Sequence, residues 1–290
     1  MRYFAPTTLD EAVGLLAAEP ASKVFAGATD VIPQMRSGRP EPSALVDLKK
    51  IERLVSVSKD ANHWTVGAAT PTVRLTEDAE FTAELPGLSE AAGLIGSDQV
   101  QSRSTLGGNL CNASPAADSV PAMVVNGVRA VIASGSGTRT VLVEAVPTGP
   151  GRTSLAPGEF IVEFEIDRPP ALTGDAYLRF IPRTEMDIAV VGAAVRLTLD
   201  GSGKVTAAAV ALGAVAPTVV RVPVAEQALV GNAIDDAVLA AVATAASAAC
   251  NPIDDKRGTI AYRRHVAGVL ATRAVKIAAE RAAQATGGSR

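Results

Sequence analysis

The chain has 290 residues, 48% hydrophobic but only 3% aromatic, enough to bury a substantial core of aliphatic side chains and longer than one typical domain of about 100–200 residues. A net charge of -3, with scattered lysines and arginines and no basic stripe, gives nucleic-acid binding little electrostatic support. Two cysteines, Cys111 and Cys250, and two histidines, His63 and His265, are too few for a disulfide framework, an iron–sulfur cluster or a structural zinc site.

In chain order, Met1-Arg2-Tyr3-Phe4 leads straight into a helix signal without a signal-peptide core, which gives a cytoplasmic expectation. No apolar run is long enough to span a membrane. Thr8-Leu9-Asp10-Glu11 reads as a capping box; Leu9, Ala12, Val13 and Leu16 then share one helical face, and Pro20 stops the helix. A strand at 23–25 runs into the small-residue loop Ala26-Gly27-Ala28-Thr29-Asp30. A helix over 31–36 and a strand over 44–48 complete a small α/β lobe. Strands over 54–57 and 64–68 form a hairpin around Asp60-Ala61-Asn62, and Ser89 is placed to cap a helix reaching Ile95. A second small-residue loop, Thr105-Leu106-Gly107-Gly108-Asn109, precedes a short helix near 116–125. Strands at 130–134, 138–144 and 160–166 then complete a mixed α+β lobe. A boundary is expected between Pro169-Pro170 and Asp175. Beyond it, strands at 189–199 and 205–212 flank the turn Asp200-Gly201-Ser202-Gly203. Helices over 226–229, 235–250 and 259–283 follow, with a frayed tail at 287–290.

The two small-residue loops carry the chemistry. Where no Cβ obstructs a ligand, backbone N–H groups can approach a phosphate closely. A dinucleotide pyrophosphate held from both sides needs such a cradle, and Thr29, Asp30, Thr105 and Asn109 add hydroxyl, carboxylate and amide groups. Gly-Gly pairs taken singly are more often ordinary turns. Neither a G-x-G-x-x-G fingerprint nor a G-K-[ST] loop occurs, which argues against the two commonest nucleotide folds. No Ser–His–Asp or Cys–His constellation and no metal-ligand cluster is legible, so no catalytic or metal residue is assigned. Cys111 is read as a small buried thiol, and Trp64 and Tyr177 as packing residues.

The segment Thr105-Leu106-Gly107-Gly108-Asn109-Leu110-Cys111-Asn112-Ala113-Ser114-Pro115-Ala116-Ala117-Asp118 resembles the second FAD loop of the flavin subunits of the molybdenum hydroxylase family, which includes carbon monoxide and xanthine dehydrogenases. Ala26-Gly27-Ala28-Thr29-Asp30 resembles the first loop, usually A-G-G-T-D. Leu45-Val46-Asp47-Leu48, Gly158-Glu159-Phe160-Ile161, Arg183-Thr184-Glu185-Met186-Asp187-Ile188-Ala189, Tyr262-Arg263-Arg264 and Arg273-Ala274 match further landmarks, in order along nearly the whole chain.

That resemblance implies an α+β fold: a flavin domain of the p-cresol methylhydroxylase (vanillyl-alcohol oxidase) type over 1–172, with subdomains 1–53 and 54–172. A C-terminal domain over 173–290, a three-stranded sheet with helices, would follow. It implies FAD bound by Val24, Phe25, Ala26, Gly27, Ala28, Thr29, Asp30, Val31, Thr105, Gly107, Gly108, Asn109 and Ser114. Ile95 and Ile161 would pack on the cofactor, Asp118 would offer a carboxylate, and Arg179 would stand where relatives often carry a flavin-side Lys. Two departures follow from the same comparison. Ala28 replaces a Gly, which is tolerable only at φ below zero, and Arg179 is not geometrically equivalent to Lys.

The function implied is electron transfer from 2Fe–2S clusters on a small partner, through FAD here, to an external acceptor. A large molybdopterin partner would oxidise the substrate, and the assembly would be a dimer of heterotrimers. Two alternatives stay open at this point. A free-standing flavin oxidoreductase of the same fold would need its own acid or base over the flavin. An interaction subunit that has lost its flavin would be colourless.

Overall fold

The computed structural model describes residues 1–183 and 186–285. Thr184, Glu185 and the tail at 287–290 lie outside the described residues. The first lobe holds β1 (Arg2–Phe4), α1 (Leu9–Ala18), β2 (Lys23–Phe25), α2 (Val31–Arg36) and β3 (Ala44–Asp47). Its sheet runs β1-β3-β2 with both pairs parallel. The Thr8 side chain accepts from Glu11 N at the start of α1, and Glu11 returns to Thr7 N rather than to Thr8. Ala12 and Leu16 face the core as their spacing requires. The opening residues form β1 instead of leading into the helix. Its partner is more than forty residues away, a pairing that local pattern does not reveal.

The second lobe is built on an antiparallel sheet of β4 (Val57–Lys59), β5 (His63–Gly67), β6 (Arg129–Ser134), β7 (Gly137–Leu142) and, after the small ribbon β8 (Pro147–Gly149) and β9 (Arg152–Thr153), β10 (Phe160–Asp167). The order is β4-β5-β10-β6-β7, with β10 central. Helices α3 (Glu52–Val55), α4 (Val73–Thr76), α5 (Ala79–Glu84), α6 (Pro86–Gly93), α7 (Asp98–Gln101), α8 (Leu106–Asn112) and α9 (Ser119–Val125) cover it. Phe81, Leu88, Leu110, Met123, Ile132 and Phe164 fill the space between helices and sheet.

Three expectations in this lobe change. Leu54 and Val55 lie in α3, so the hairpin begins at Val57. Ser89 sits buried inside α6, which Pro86 opens and Gly93 ends; its hydroxyl pairs with that of Thr82. Thr105-Leu106-Gly107-Gly108-Asn109 is not a loop but the cap and first turn of α8. Thr105 is extended, and its Oγ1 accepts from Gly108 N at 2.8 Å.

The C-terminal part contains β11 (Thr173–Phe180), β12 (Val191–Leu199), β13 (Val205–Gly213), the two-residue edge strand β14 (Val220–Arg221), α10 (Pro223–Leu229), α11 (Asp236–Ala249) and α12 (Ile260–Gln284). Three long strands carry the sheet as expected, and β14 adds a fourth at one edge. α12 lies close on β11: a Cβ at Gly174 would come within 2.3 Å of the Ala278 carbonyl oxygen. This sheet joins the second lobe through buried Asp175, which accepts from Gly87 N, Leu88 N and Asn126 Nδ2. A carboxylate on the N-terminal N–H groups of α6 satisfies donors that the helix cannot.

Candidate functional site

The two small-residue segments meet. A Cβ at Gly27 would lie 1.7 Å from the Arg103 carbonyl oxygen, and one at Gly107 would lie 2.4 Å from the Ala68 carbonyl oxygen. Only glycine permits either approach. Between the segments runs a groove with two connected parts. The polar part, a cavity of about 150 Å³, is lined by all eight residues from Val24 to Val31 together with Ile95, Thr105, Gly108 and Asn109. The apolar part, of about 120 Å³, includes Leu48, Leu54, Ala69, Leu155, Phe160 and Ile161, and shares Val24, Phe25, Ala26 and Gly108 with the first.

Ala28 has φ +63, the left-handed region, against the expectation of a negative angle. The conformation costs about 1–2 kcal/mol for a residue with a Cβ, and several bonds hold it. Ile32 N donates to Ala28 O at 3.1 Å, and Gln34 N to Asp30 O at 3.0 Å. On the other side of Gly27, Lys49 Nζ donates to Ala26 O at 2.8 Å and lies 4.5 Å from the centre of the Phe25 ring. Lys49 is fixed in turn by Asp47 at 2.6 Å, which also accepts from the Tyr3 hydroxyl. Against burial, which pushes it up, these donors hold Asp47 below the ordinary carboxylate range. Among the described residues, no acceptor meets the N–H groups of Gly27, Ala28, Thr29 or Asp30. A strained loop with several free N–H groups in a row can serve as an anion cradle.

Across the polar part, Asn112 Nδ2 donates to Asp30 Oδ1, and Gln34 Nε2 donates to Asn112 Oδ1 at 2.8 Å. Burial raises the Asp30 pKa, with Lys23 opposing. Lys23 and Arg39 also line this part and give it positive charge. Lys23, Gln34, Arg39, Cys111, Asn112 and the apolar wall at Leu48, Leu54 and Leu155 went unassigned in the sequence. A signal for two of them existed: Gly108, Cys111 and Asn112 are spaced three and four apart, one face of α8. Cys111 is exposed as a residue on that face, yet its thiol is desolvated and pushed up to about 12; the Cys250 residue is buried as a whole.

Three expected residues stand outside the groove lining. Ser114 accepts from Ala116 N and lines a separate cleft between the lobes. Asp118 and Arg179 form a buried ion pair of 2.9 Å, with side chains 11% and 7% exposed. Arg179 Nη1 also donates to the carbonyl of Leu94, the neighbour of groove residue Ile95. Tyr177, read from sequence as packing, donates its hydroxyl to Asp118 at 2.9 Å. Burial pushes Asp118 up to about 6, although Arg179 and Tyr177 pull the other way.

Trp64 packs edge-on against Phe81 and donates to Glu84, and Arg183 is an exposed partner of Asp187. Among the described residues there is no cluster of metal-ligating side chains, and no helix long and apolar enough to cross a membrane.

Residues 1–169 match the FAD binding domain in molybdopterin dehydrogenase, and residues 176–278 match the CO dehydrogenase flavoprotein C-terminal domain. The chain is 31% identical over 288 residues to the xanthine dehydrogenase FAD-binding subunit of Escherichia coli O157:H7, covering 98% of this chain and 97% of that one. It is 34% identical over 282 residues to the carbon monoxide dehydrogenase medium chain of Afipia carboxidovorans, covering 97% of each. Among solved structures, the carbon monoxide dehydrogenase of Hydrogenophaga pseudoflava superposes with a TM-score of 0.93 at 33% identity, over 97% of this chain and 98% of that chain. Quinoline 2-oxidoreductase of Pseudomonas putida 86 superposes with a TM-score of 0.91 at 31% identity, over the same shares.

Proposed function

The chain belongs to the FAD-binding subunits of the molybdenum hydroxylase family, and from that premise we propose that the groove between the Ala26 loop and α8 is where it holds FAD. It is an oxidoreductase subunit that transfers electrons within a heteromeric enzyme. The observation that carries the site assignment is the run of N–H groups from Gly27 to Asp30 without acceptors among the described residues, in a loop that Gly27 seats against Arg103 ahead of α8. Bound FAD supplies what no side chain can, the acceptance of electrons one at a time and their release in pairs.

The chain's own residues bind, orient and shield. The four N–H groups would hold the pyrophosphate, with Lys23 and Arg39 offsetting its charge. Thr29 and Thr105 offer hydroxyls, and Asn112 holds Asp30 in place. Leu54, Leu155, Phe160 and Ile161 line an apolar part that would enclose one flat ring of the cofactor and exclude water. Arg179 and Asp118 put a buried cation and carboxylate beside the Ile95 end.

Partners follow from the kinds of enzyme in which the relatives serve. The matched relatives include medium chains of dehydrogenases. The present chain takes the same place between a large molybdopterin subunit, which oxidises the substrate, and a small 2Fe–2S subunit, in a dimer of heterotrimers. Electrons leave to an external acceptor. Affinity purification of the tagged chain from its host, with absorption spectra and metal analysis, tests this reading. FAD, molybdenum, iron and two further polypeptides are expected together. A lone yellow chain without metal overturns the heteromeric assembly, and a colourless one overturns FAD binding.

A further inference from the structure

The second and third parts of the fold meet at three polar side chains that the groove lining does not include. Tyr177 and Arg179 are two apart on β11 and so share one face of that strand. Asp118, at the start of α9, receives both: the Tyr177 hydroxyl at Oδ1 and Arg179 Nη1 at Oδ2, each at 2.9 Å. Room for the phenol is provided across the sheet, where a Cβ at Gly192 would come within 2.7 Å of the Tyr177 oxygen. Among the described residues, Arg179 Nε is buried with no hydrogen-bond partner. Buried ion pairs contribute little net stability, because desolvation consumes the Coulombic gain. The pair fixes a buried charge that can act through space on a ligand beside it.

The groove decides which ligand part lies here. Of the two ring systems of FAD, the flavin gains charge on reduction. The charged Ile95 end, where Arg179 touches the Leu94 carbonyl, would suit it better than the apolar part around Leu155 and Phe160.

We propose that Tyr177 is a positioning residue: its hydroxyl, bonded to Asp118, sets how much of the Arg179 charge reaches the flavin and hence the flavin potential. The inference rests on the FAD assignment above. The Tyr177 bond draws charge from the Asp118 carboxylate, so that Asp118 cancels less of the guanidinium. Burial, the Asp118 charge and this hydrogen bond hold the phenol protonated, its pKa raised well above the ordinary value. Tyr177 therefore remains a donor.

The test is spectroelectrochemical titration of FAD in the intact enzyme, with FAD content measured first, at pH 9, where Asp118, pushed up to about 6 in the wild-type chain, is ionised. In Tyr177→Phe, the Asp118 carboxylate cancels more of Arg179, and the potential moves to more negative values with FAD content unchanged. In Asp118→Asn, the cation is uncompensated, and the potential moves to more positive values. Should Asp118→Asn fail to fold, Arg179→Gln replaces it, and its potential moves negative. Potentials equal to wild type in Tyr177→Phe, or movement of Tyr177→Phe and Asp118→Asn in the same direction, overturn the proposal while leaving FAD binding intact. A wild-type enzyme without FAD overturns both.

Discussion

Gly27 rests against Arg103: no side-chain atom fits between its α-carbon and the Arg103 carbonyl, because a Cβ there would lie 1.7 Å from the oxygen. This contact brings the Ala26 loop onto the segment leading into α8 and makes one groove from two weak sequence signals. Gly27→Ala is therefore expected to push the two segments apart and to lower FAD affinity at least tenfold, about 1.4 kcal/mol. Fluorescence titration of apoprotein with FAD measures it, with circular dichroism as the check on folding. A folded variant with wild-type affinity would show that the contact is dispensable.

Ala28 makes the opposite prediction. Its φ of +63 is strained for any residue with a Cβ. Ala28→Gly relieves the strain but adds freedom to the unfolded chain, so the net gain is about 0.5–1 kcal/mol. Thermal unfolding of the apoprotein should show a higher Tm, with FAD binding retained. A lower Tm would mean that the left-handed conformation is not what the folded chain adopts.

Much of this was legible in the sequence because local rules governed it. The N-cap at Thr8, the hairpin turn at 60–62 and the helices from Asp235 and Thr259 are set by residues close in the chain. The glycines of both segments pointed to a phosphate cradle, and the family resemblance ordered the rest. What escaped depends on distant partners. β1 exists through pairing with β3, and Ser89 is buried because α5 packs beside it. The Tyr177–Asp118 bond joins residues 59 apart. The sign of φ at Ala28 is likewise fixed by Lys49 and α2, not by its own identity.

Cys111 reports occupancy of the groove. It is exposed and lines both parts of it, whereas Cys250 is buried. Desolvation pushes the Cys111 thiol up to about 12, so a thiol-specific reagent should modify it slowly in apoprotein at pH 9 and at least tenfold more slowly still when FAD is bound. Cys250 should stay protected in both forms. Equal rates at Cys111 with and without FAD would place the cofactor elsewhere.

Asp118 predicts a pH dependence of stability. Burial raises its pKa from 3.8 to about 6 in the folded chain. The folded state thus binds the proton more tightly than the unfolded one. The resulting stabilisation is fully present below about pH 4 and is lost as pH rises through about 6. Two pKa units correspond to about 3 kcal/mol. Denaturant unfolding of wild type and Asp118→Asn from pH 4 to 8 should show the stability difference moving against wild type with rising pH. A constant difference over that range would mean that Asp118 titrates normally.

The central claim is that the N–H groups from Gly27 to Asp30, together with the start of α8, hold FAD. Amide hydrogen exchange of the wild-type chain with and without FAD measures this most directly. Slower exchange confined to 26–31 and 105–112 is predicted. Unchanged exchange at 26–31, or protection centred on another region, would contradict it.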